Sequence, residues 1–540
     1  MLWLALHFRH LPLEVFTRGM PVPGNAQPLA VTSSAENNAT VVIANRPAQA
    51  CGINTGMGVS SACALAAGLH TIPRDTAKEH ATLARIAAWS LQFTSLVSLA
   101  EPPPPAGHCA GDAATVLLEI EGSLKLFGGL GKLYQHIARG TAELGFNAQI
   151  ACAPTPLAAQ WFACAGLAIR VQHQDALRHA LEKLPASLLC QDLIESDATR
   201  TLLESFGAHT LGDCLRLPRD GLARRTGPRL LDQLDRALGL RPDPRLPFVA
   251  PQTWSATLPL PAPVAQADAL LFAARRLLTE LCGWLAATGH GVQRPTFEFI
   301  QEKQIVTIIT LELSSATRDL DHLTTLLRER LQRTTLPTAA IEIAMASGQV
   351  VPLASRNLSF LAENATQAAT QTENASRFVE RLNARLGAHT ICGLTPHADH
   401  RPERAWRACQ PGAANAENTA ASPNTAPPLK APPSEPLSQA RPLTRPLWLL
   451  TTPRPLRDSH ASSGDAPHDL HDLHAPHGPH DADGAPLSLL AGPERIEAGW
   501  WDGQHIARDY FVARNSAQSL LWIYRERGVN PRWYVHGFFS

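Results

Sequence analysis

The chain opens on an apolar, β-compatible run from Leu2 to Phe8 that stops at Arg9-His10, and a second strand pattern follows at Thr40 to Ala44. A Gly-punctuated segment, CGINTGMGVSSACALAAGL, ends in a helical pattern, and apolar spacing predicts a helix over 78–97. Strands are expected from Thr115 to Glu121, ahead of a helix after LFGGLGKLY, and from Asn147 to Cys152, ahead of an Ala-rich helix after Thr155-Pro156. Strands alternating with helices in this way predict a mixed α/β layer.

Residues 202–239 have another texture: short apolar-periodic helices punctuated by Gly207, Gly212, Gly221 and Gly227. Helix-hairpin-helix units look like this, and they present backbone N–H groups and helix N-termini to DNA phosphates. Arg216, Arg219, Arg224, Arg225 and Arg229 supply local positive charge; an ordinary small bundle with solvated arginines is the competing reading. From residue 252 the pattern runs strand, long helix (267–288), two strands, helix (319–334), strand, which is the β-α-β-β-α-β order of a compact α+β domain. Residues 407–445 and 452–487 are rich in Pro, Ala, Ser, Asn and His without an apolar period and read as linkers. Beyond residue 445 lie five of the eleven tryptophans and three of the four tyrosines, among short strand patterns (RPLWLL, HIARDYFVAR, SLLWIYRE, RWYVHGFF) that predict a small β-rich module.

Composition narrows the function classes. Lys+Arg 47 against Asp+Glu 47 excludes a globally basic nucleic-acid coat, and 45% hydrophobic residues exclude wholesale disorder. No apolar run reaches the ~18 residues of a membrane span. The start, MLWLALHFRHLPLEVF, lacks a signal-peptide pattern, so a cytoplasmic protein without a membrane partner is expected. The ten cysteines are scattered without a CxxC pair and read as buried free thiols. Histidines 468, 471, 474, 477 and 480 recur every third residue, with His460 ahead of them; Pro and Gly interrupt the run, so it reads as linker rather than as a metal cage.

The order of parts resembles the Y-family translesion DNA polymerases, in particular their UmuC/DinB-like homologues in the bacterial damage-inducible mutagenesis cassette. The resemblance rests on WLALHFRHLPLEVF, GINTGM, EIEGSLKLFGG and the tail GPERIEAGWWDG…RDYFVAR…LWIYRER…WYVHGFF, and covers nearly the whole chain. It implies an α/β and α+β multidomain fold: a right hand of palm (1–18 and 76–168), fingers (19–75), helix-hairpin-helix thumb (169–245) and little finger (246–347). A linker with a short helix (348–445) and a β-rich, partner-binding module (446–540) with an internal His/Pro-rich linker would follow.

The resemblance also implies chemistry that can be tested residue by residue. Nucleotide addition uses two metal ions held by palm carboxylates. The family's first acidic pair falls here on His7 and Arg9, and its second on Ala114 and Thr115; no Asp or Glu precedes Glu14. The family's triphosphate-holding tyrosine and arginine pattern is altered too, leaving Arg46 and Gln49 in ANRPAQACG. A catalytically defective homologue with no cofactor is therefore expected. An active translesion polymerase, with magnesium on relocated carboxylates such as Glu119 and Glu121, is the alternative.

The same resemblance implies an adaptor in SOS mutagenesis that binds primer-template or damaged DNA through thumb and little finger. Leu358 and Phe360, in SRNLSF, match the two anchors of a β sliding-clamp peptide without its glutamine. The tail, with Trp500, Trp501, Tyr510, Trp522 and Trp533, would recruit an ImuA-like protein, RecA and an error-prone C-family DNA polymerase, with nucleoid association during DNA damage. On a strand, adjacent Trp500 and Trp501 would point to opposite faces, so one of them should be exposed.

Overall fold

The computed structural model describes residues 1–19, 27–33, 39–100, 114–190, 196–302, 305–353, 363–387, 390–409, 445–446, 448–458, 479–480, 484–528 and 530–539. The chain divides into two units, 1–388 and 389–540.

The first unit begins with β1 (Trp3–His7), which is buried on both faces, and α1 (Leu11–Thr17). A small sheet follows, built from β2 (Leu29–Thr32), β3 (Val41–Ala44) and β4 (His70–Pro73) in the order β3-β2-β4, with α2 (Arg46–Ala50) and α3 (Val59–Leu65) between its second and third strands. The chain then returns through α4 (Thr76–Ser90), β5 (Val97–Leu99), β6 (Thr115–Glu119), α5 (Leu130–Glu143), β7 (Gln149–Ala153) and α6 (Pro156–Cys164). The resulting palm-like sheet has the antiparallel order β5-β6-β1-β7. Strand alternation sorts its two cores: Trp3 and Ala5 pack with α6, while Leu2, Leu4, Leu6 and Phe8 pack with α4 and α5. The helix expected over 78–97 ends at Ser90, because β-branched Val97 pairs opposite Leu118 and starts β5.

A thumb-like bundle shares the α6 core: α7 (Gln174–Glu182), α8 (Ser196–Ser205), α9 (Leu211–Arg216), α10 (Arg219–Thr226) and α11 (Pro228–Ala237). Thr210 and Asp213 form a reciprocal capping box that starts α9. Only Gly207 and Gly227 of the four expected turn glycines lie between helices; Gly212 and Gly221 sit inside α9 and α10. Next come β8 (Ser255–Val264), α12 (Ala267–Thr288), β9 (His290–Val292), β10 (Thr296–Gln301), β11 (Val306–Thr310), α13 (Leu320–Arg333), β12 (Ala340–Ala346) and β13 (Val350–Pro352). Their main sheet has the order β11-β10-β12-β8, with α12 and α13 on one face.

This little-finger-like layer is fixed to the palm-like one. Arg18 beyond α1 forms a fully buried ion pair with Glu280 of α12, which also accepts from Arg85 of α4 at 3.0 Å. Trp89 of α4 lies in a slot between Gly140 of α5 and Gly283 of α12. A Cβ at either glycine would stand 2.3 Å and 2.1 Å from its ring, respectively, so only glycine fits.

The stretch 348–445, expected to be linker with a short helix, contains two folded parts beyond β13. Helix α14 (Glu363–Leu386) is 24 residues long and docks on α13 through Glu380–His322 at 2.6 Å, Arg377–Asp319 at 2.8 Å and Arg381–Glu329 at 3.1 Å. The hairpin β14 (Gly393–Pro396) and β15 (Trp406–Cys409) belongs to the second unit. There it joins β16 (Trp448–Pro455), β17 (Arg457–Asp458), β18 (Pro479–His480), β19 (Ser488–Ala498), β20 (Ile506–Arg514), β21 (Leu520–Glu526) and β22 (Trp533–Phe538). The main sheet has the order β16-β22-β21-β20-β19. Arg445, just before β16, reaches Glu494 of β19 at 2.6 Å, so the two edges of the sheet curl toward each other.

One buried acid in the first unit is a pH-sensitive cost. Glu14 Oε1 accepts from the Asn147 N–H at 3.1 Å, while Oε2 is buried without a partner. Burial pushes its carboxyl up to about 7, against the opposing pull of the Asn147 N–H, Arg18 and Arg276. The folded value lies above the unfolded one near 4.5, so the penalty is absent below pH 4.5 and grows as pH rises through 7. Glu14→Gln should therefore match the parent chain in thermal unfolding at pH 4.5. At pH 8.5 it should melt higher, on the order of 5 °C.

Candidate functional site

Three places carry the expected chemistry. At the first, β1 and β6 run antiparallel with His7 opposite Thr115, and the Phe8 N–H donates to Ala114 O at 2.8 Å. The structure thus brings His7, Arg9, Ala114 and Thr115 to one end of the palm-like sheet. His7 Nδ1 lies 2.9 Å from Thr115 Oγ1 and 3.6 Å from Cys164 Sγ. Burial, aided by Arg9, lowers the His7 imidazole to about 4, so it is neutral at pH 7. Arg9 is exposed and has no ion pair among the described residues. His10 is lowered by burial and by the nearby Arg9 and Arg46. Arg46 opens α2 in the finger-like sheet, behind the Asn45 cap, and the Gln49 side chain donates to Ala44 O at 2.8 Å.

Magnesium does not fit this donor set. A neutral imidazole, a hydroxyl, a thiol and a guanidinium offer no carboxylate oxygen where a hard dication needs several. The carboxylates of the alternative reading stand elsewhere. Glu119 is opposite Trp3, four residues along the strand and roughly 13 Å from Thr115 at ~3.3 Å per residue. Its Oε1 accepts from the Leu2 and Glu121 N–H groups at 3.3 and 3.2 Å, and Glu121 meets the N-terminal ammonium at 2.6 Å. Among the described residues no His/Cys/Asp/Glu cluster is placed to hold a metal.

The second place is the helical bundle. The five arginines are all exposed, but they are not equivalent. Arg216 is tied to Asp213 at 2.5 Å and Arg219 to Asp235 at 2.7 Å, which neutralises them. Arg225 lies 5.0 Å over the Phe206 ring, and Arg224 and Arg229 have no ion-pair partner among the described residues. Net positive charge is therefore concentrated at the α10–α11 turn, around Gly227.

The third place is the second unit. Tyr510, Trp522 and Trp533, expected to include exposed anchors, are core: their exposures are 0%, 0% and 7%. Tyr510 stacks on Trp522 at 4.2 Å and bonds His536 Nδ1 at 2.9 Å. Trp500 and Trp501 lie in the turn between β19 and β20, not on a strand, so the face-alternation argument does not apply and both are exposed (77% and 54%). Sequence reasoning missed what holds them. Asp502 accepts from Arg401 at 2.7 Å and from Arg404 at 3.1 Å, and the Arg401 guanidinium lies 5.7 Å over the Trp501 ring. Gly499 opens the turn at φ +83°, and a Cβ there would stand 2.2 Å from Gln504 O. The clamp-peptide anchors Leu358 and Phe360 lie outside the described residues, as do His460 and four of the five periodic histidines.

The impB/mucB/samB family matches residues 24–163. "Protein ImuB" of Caulobacter vibrioides strain NA1000 / CB15N is 26% identical over 503 residues, covering 91% of this chain and 100% of that protein. The same protein of strain ATCC 19089 / CIP 103742 / CB 15 matches equally. Among solved structures, an insertion ternary complex of Dbh DNA polymerase aligns with 64% of this chain and 98% of its own, at 16% identity and a TM-score of 0.36. DinB from Sulfolobus solfataricus aligns with 66% and 100%, at 16% identity and a TM-score of 0.33.

The inequality among the arginines makes a specific expectation. Replacing Arg224, Arg225 and Arg229 by alanine should weaken duplex DNA binding and flatten its salt dependence by up to about three phosphate contacts, measured by fluorescence anisotropy between 50 and 200 mM salt. Arg216→Ala with Arg219→Ala should change the slope little, because aspartates already neutralise both. An unchanged slope in the triple variant would move the DNA site off the thumb.

Proposed function

The chain is an ImuB-like protein with an impB/mucB/samB domain, a homologue of DNA-damage polymerases, and on that premise we propose that it is a non-catalytic adaptor of translesion synthesis. In this reading it holds primer-template DNA through the thumb arginines and the sliding clamp through Leu358 and Phe360. The second unit then delivers an error-prone polymerase that performs the synthesis, together with an ImuA-like protein and RecA. The protein would work in the cytoplasm, on the nucleoid after DNA damage.

The observation that carries the proposal is the end of the palm-like sheet. His7, Arg9, Ala114 and Thr115 occupy the strand ends where the family gathers its metal-binding carboxylates, and the His7–Thr115 contact fills that end with a neutral hydrogen bond. A guanidinium at Arg9 would repel a dication rather than bind it. Purified protein should not extend a primer in magnesium or manganese. Extension that Glu119→Ala abolishes would restore the active-polymerase reading.

Partner capture is assigned to the Trp500–Trp501 turn. Large rigid aromatics held in place before binding lose little entropy on association and dominate interface energetics. Trp500→Ala with Trp501→Ala should weaken capture of the partner polymerase at least tenfold while leaving DNA affinity unchanged. Asp502→Asn, which loosens the turn without removing a ring, should give a smaller loss. Unchanged capture in the double variant would make the turn an ordinary surface loop.

A further inference from the structure

The two edges of the little-finger-like sheet are built differently. Edge strand β8 carries Pro259, Pro261 and Pro263, which remove backbone donors, and it lies against the Gly19 end of α1. Edge strand β11 has no such protection. Among the described residues it pairs only with β10, and Ile305 to Leu311 (IVTIITL) contains no charge, no proline and no bulge. Ile305, Val306 and Ile308 are exposed by 39%, 45% and 61%. An apolar, unblocked edge is a template for another strand.

Its open hydrogen-bonding groups can be assigned. The Gln301 N–H donates to Ile305 O at 2.8 Å and the Leu311 N–H to Pro295 O at 3.1 Å. Alternation then turns the N–H and C=O of Thr307 and Ile309 toward β10, and those of Val306, Ile308 and Thr310 toward the open edge. The outer face beside this edge holds Thr296, Glu298 and Ile300 of β10 and Glu342 and Ala344 of β12, with no Lys or Arg among its described residues. Nucleic-acid phosphates would meet carboxylates there, and so would an acidic strand.

We infer that β11 pairs antiparallel with β11 of a second copy of this chain, giving one continuous sheet across a two-fold axis at Ile308. In that register Ile308 faces Ile308, and Val306 faces Thr310, as hydrogen-bonded pairs that use every open donor and acceptor of the strand. The strand matches itself in length, brings no charge to the junction, and keeps the exposed Val306 and Ile308 on a shared face. Glu298 of each copy lies one strand back from the junction, away from its counterpart.

Sedimentation equilibrium of the full chain tests this. The expected result is a reversible approach to twice 58.2 kDa with rising concentration. Ile308→Pro removes an outward donor that the fold does not use, and Ile308→Lys sets two ammonium groups on the axis. Both should raise the dissociation constant more than tenfold with an unchanged melting temperature, whereas Leu126→Lys, at an exposed site elsewhere, should not. Hydrogen exchange gives a readout independent of the variants: the Val306, Ile308 and Thr310 amides should gain protection on concentration and lose it on dilution. A monomer at 100 µM, a dimer that survives both Ile308 variants, or protection of these amides only when another protein is added would each overturn the inference.

Discussion

The arrangement of the first unit depends on one buried ion pair. Arg18 and Glu280 are both 1% exposed and come from elements far apart in sequence, the end of α1 and the long helix α12 of the little-finger-like layer. Burying two charges costs several kcal/mol each unless the geometry is good and the remaining groups are satisfied. Here Arg85 also donates to Glu280, Leu144 O accepts from Arg18 at 3.2 Å, and the Phe146 ring lies 4.7 Å from the Arg18 guanidinium. Removing any one partner would strand a charge, so the layers hold one orientation. The Trp89 slot adds a steric lock beside the electrostatic one, because two glycines on two different helices must flank one indole.

That rigidity bears on the end of the palm-like sheet, where the proposed function rests. A metal site needs like charges held together and is intrinsically unfavourable until the cation arrives. With His7 neutral and hydrogen-bonded to Thr115, the strand ends carry no such repulsion. Stability and catalysis commonly oppose each other at such positions.

How much of this was legible in the sequence depends on the range of the interactions. Strand β1, the 267–288 helix and the little-finger order follow from local periodicity, and the helix ends where Gly289 takes a left-handed conformation. The strands β2, β4 and β5 are only three or four residues long, too short to carry a periodicity of their own, so no local pattern marks them. The family resemblance brought His7 and Thr115 to one site, whereas their pairing and the displacement of Glu119 required the register. In the tail, tryptophan count suggested anchors, but three of the five aromatics are core. The two exposed ones are distinguished by a turn whose Asp502–Arg401 pairing spans a hundred residues and has no local signature.

That same pairing changes what counts as a module. The hairpin carrying Arg401 and Arg404 and the sheet carrying Asp502 form one folding unit, although the proline- and histidine-rich stretches interrupt it twice in sequence. Those stretches are insertions into a domain, not joints between domains. The entropic cost of closing a chain segment grows slowly with its length, about 0.6 kcal/mol per doubling. Chain length at those two places is therefore a weak constraint on the fold of the second unit. Any transplant of the second unit to another protein must begin at residue 389, since a graft beginning at the last proline-rich stretch would leave behind Arg401 and Arg404, which hold Asp502 beside the two exposed tryptophans.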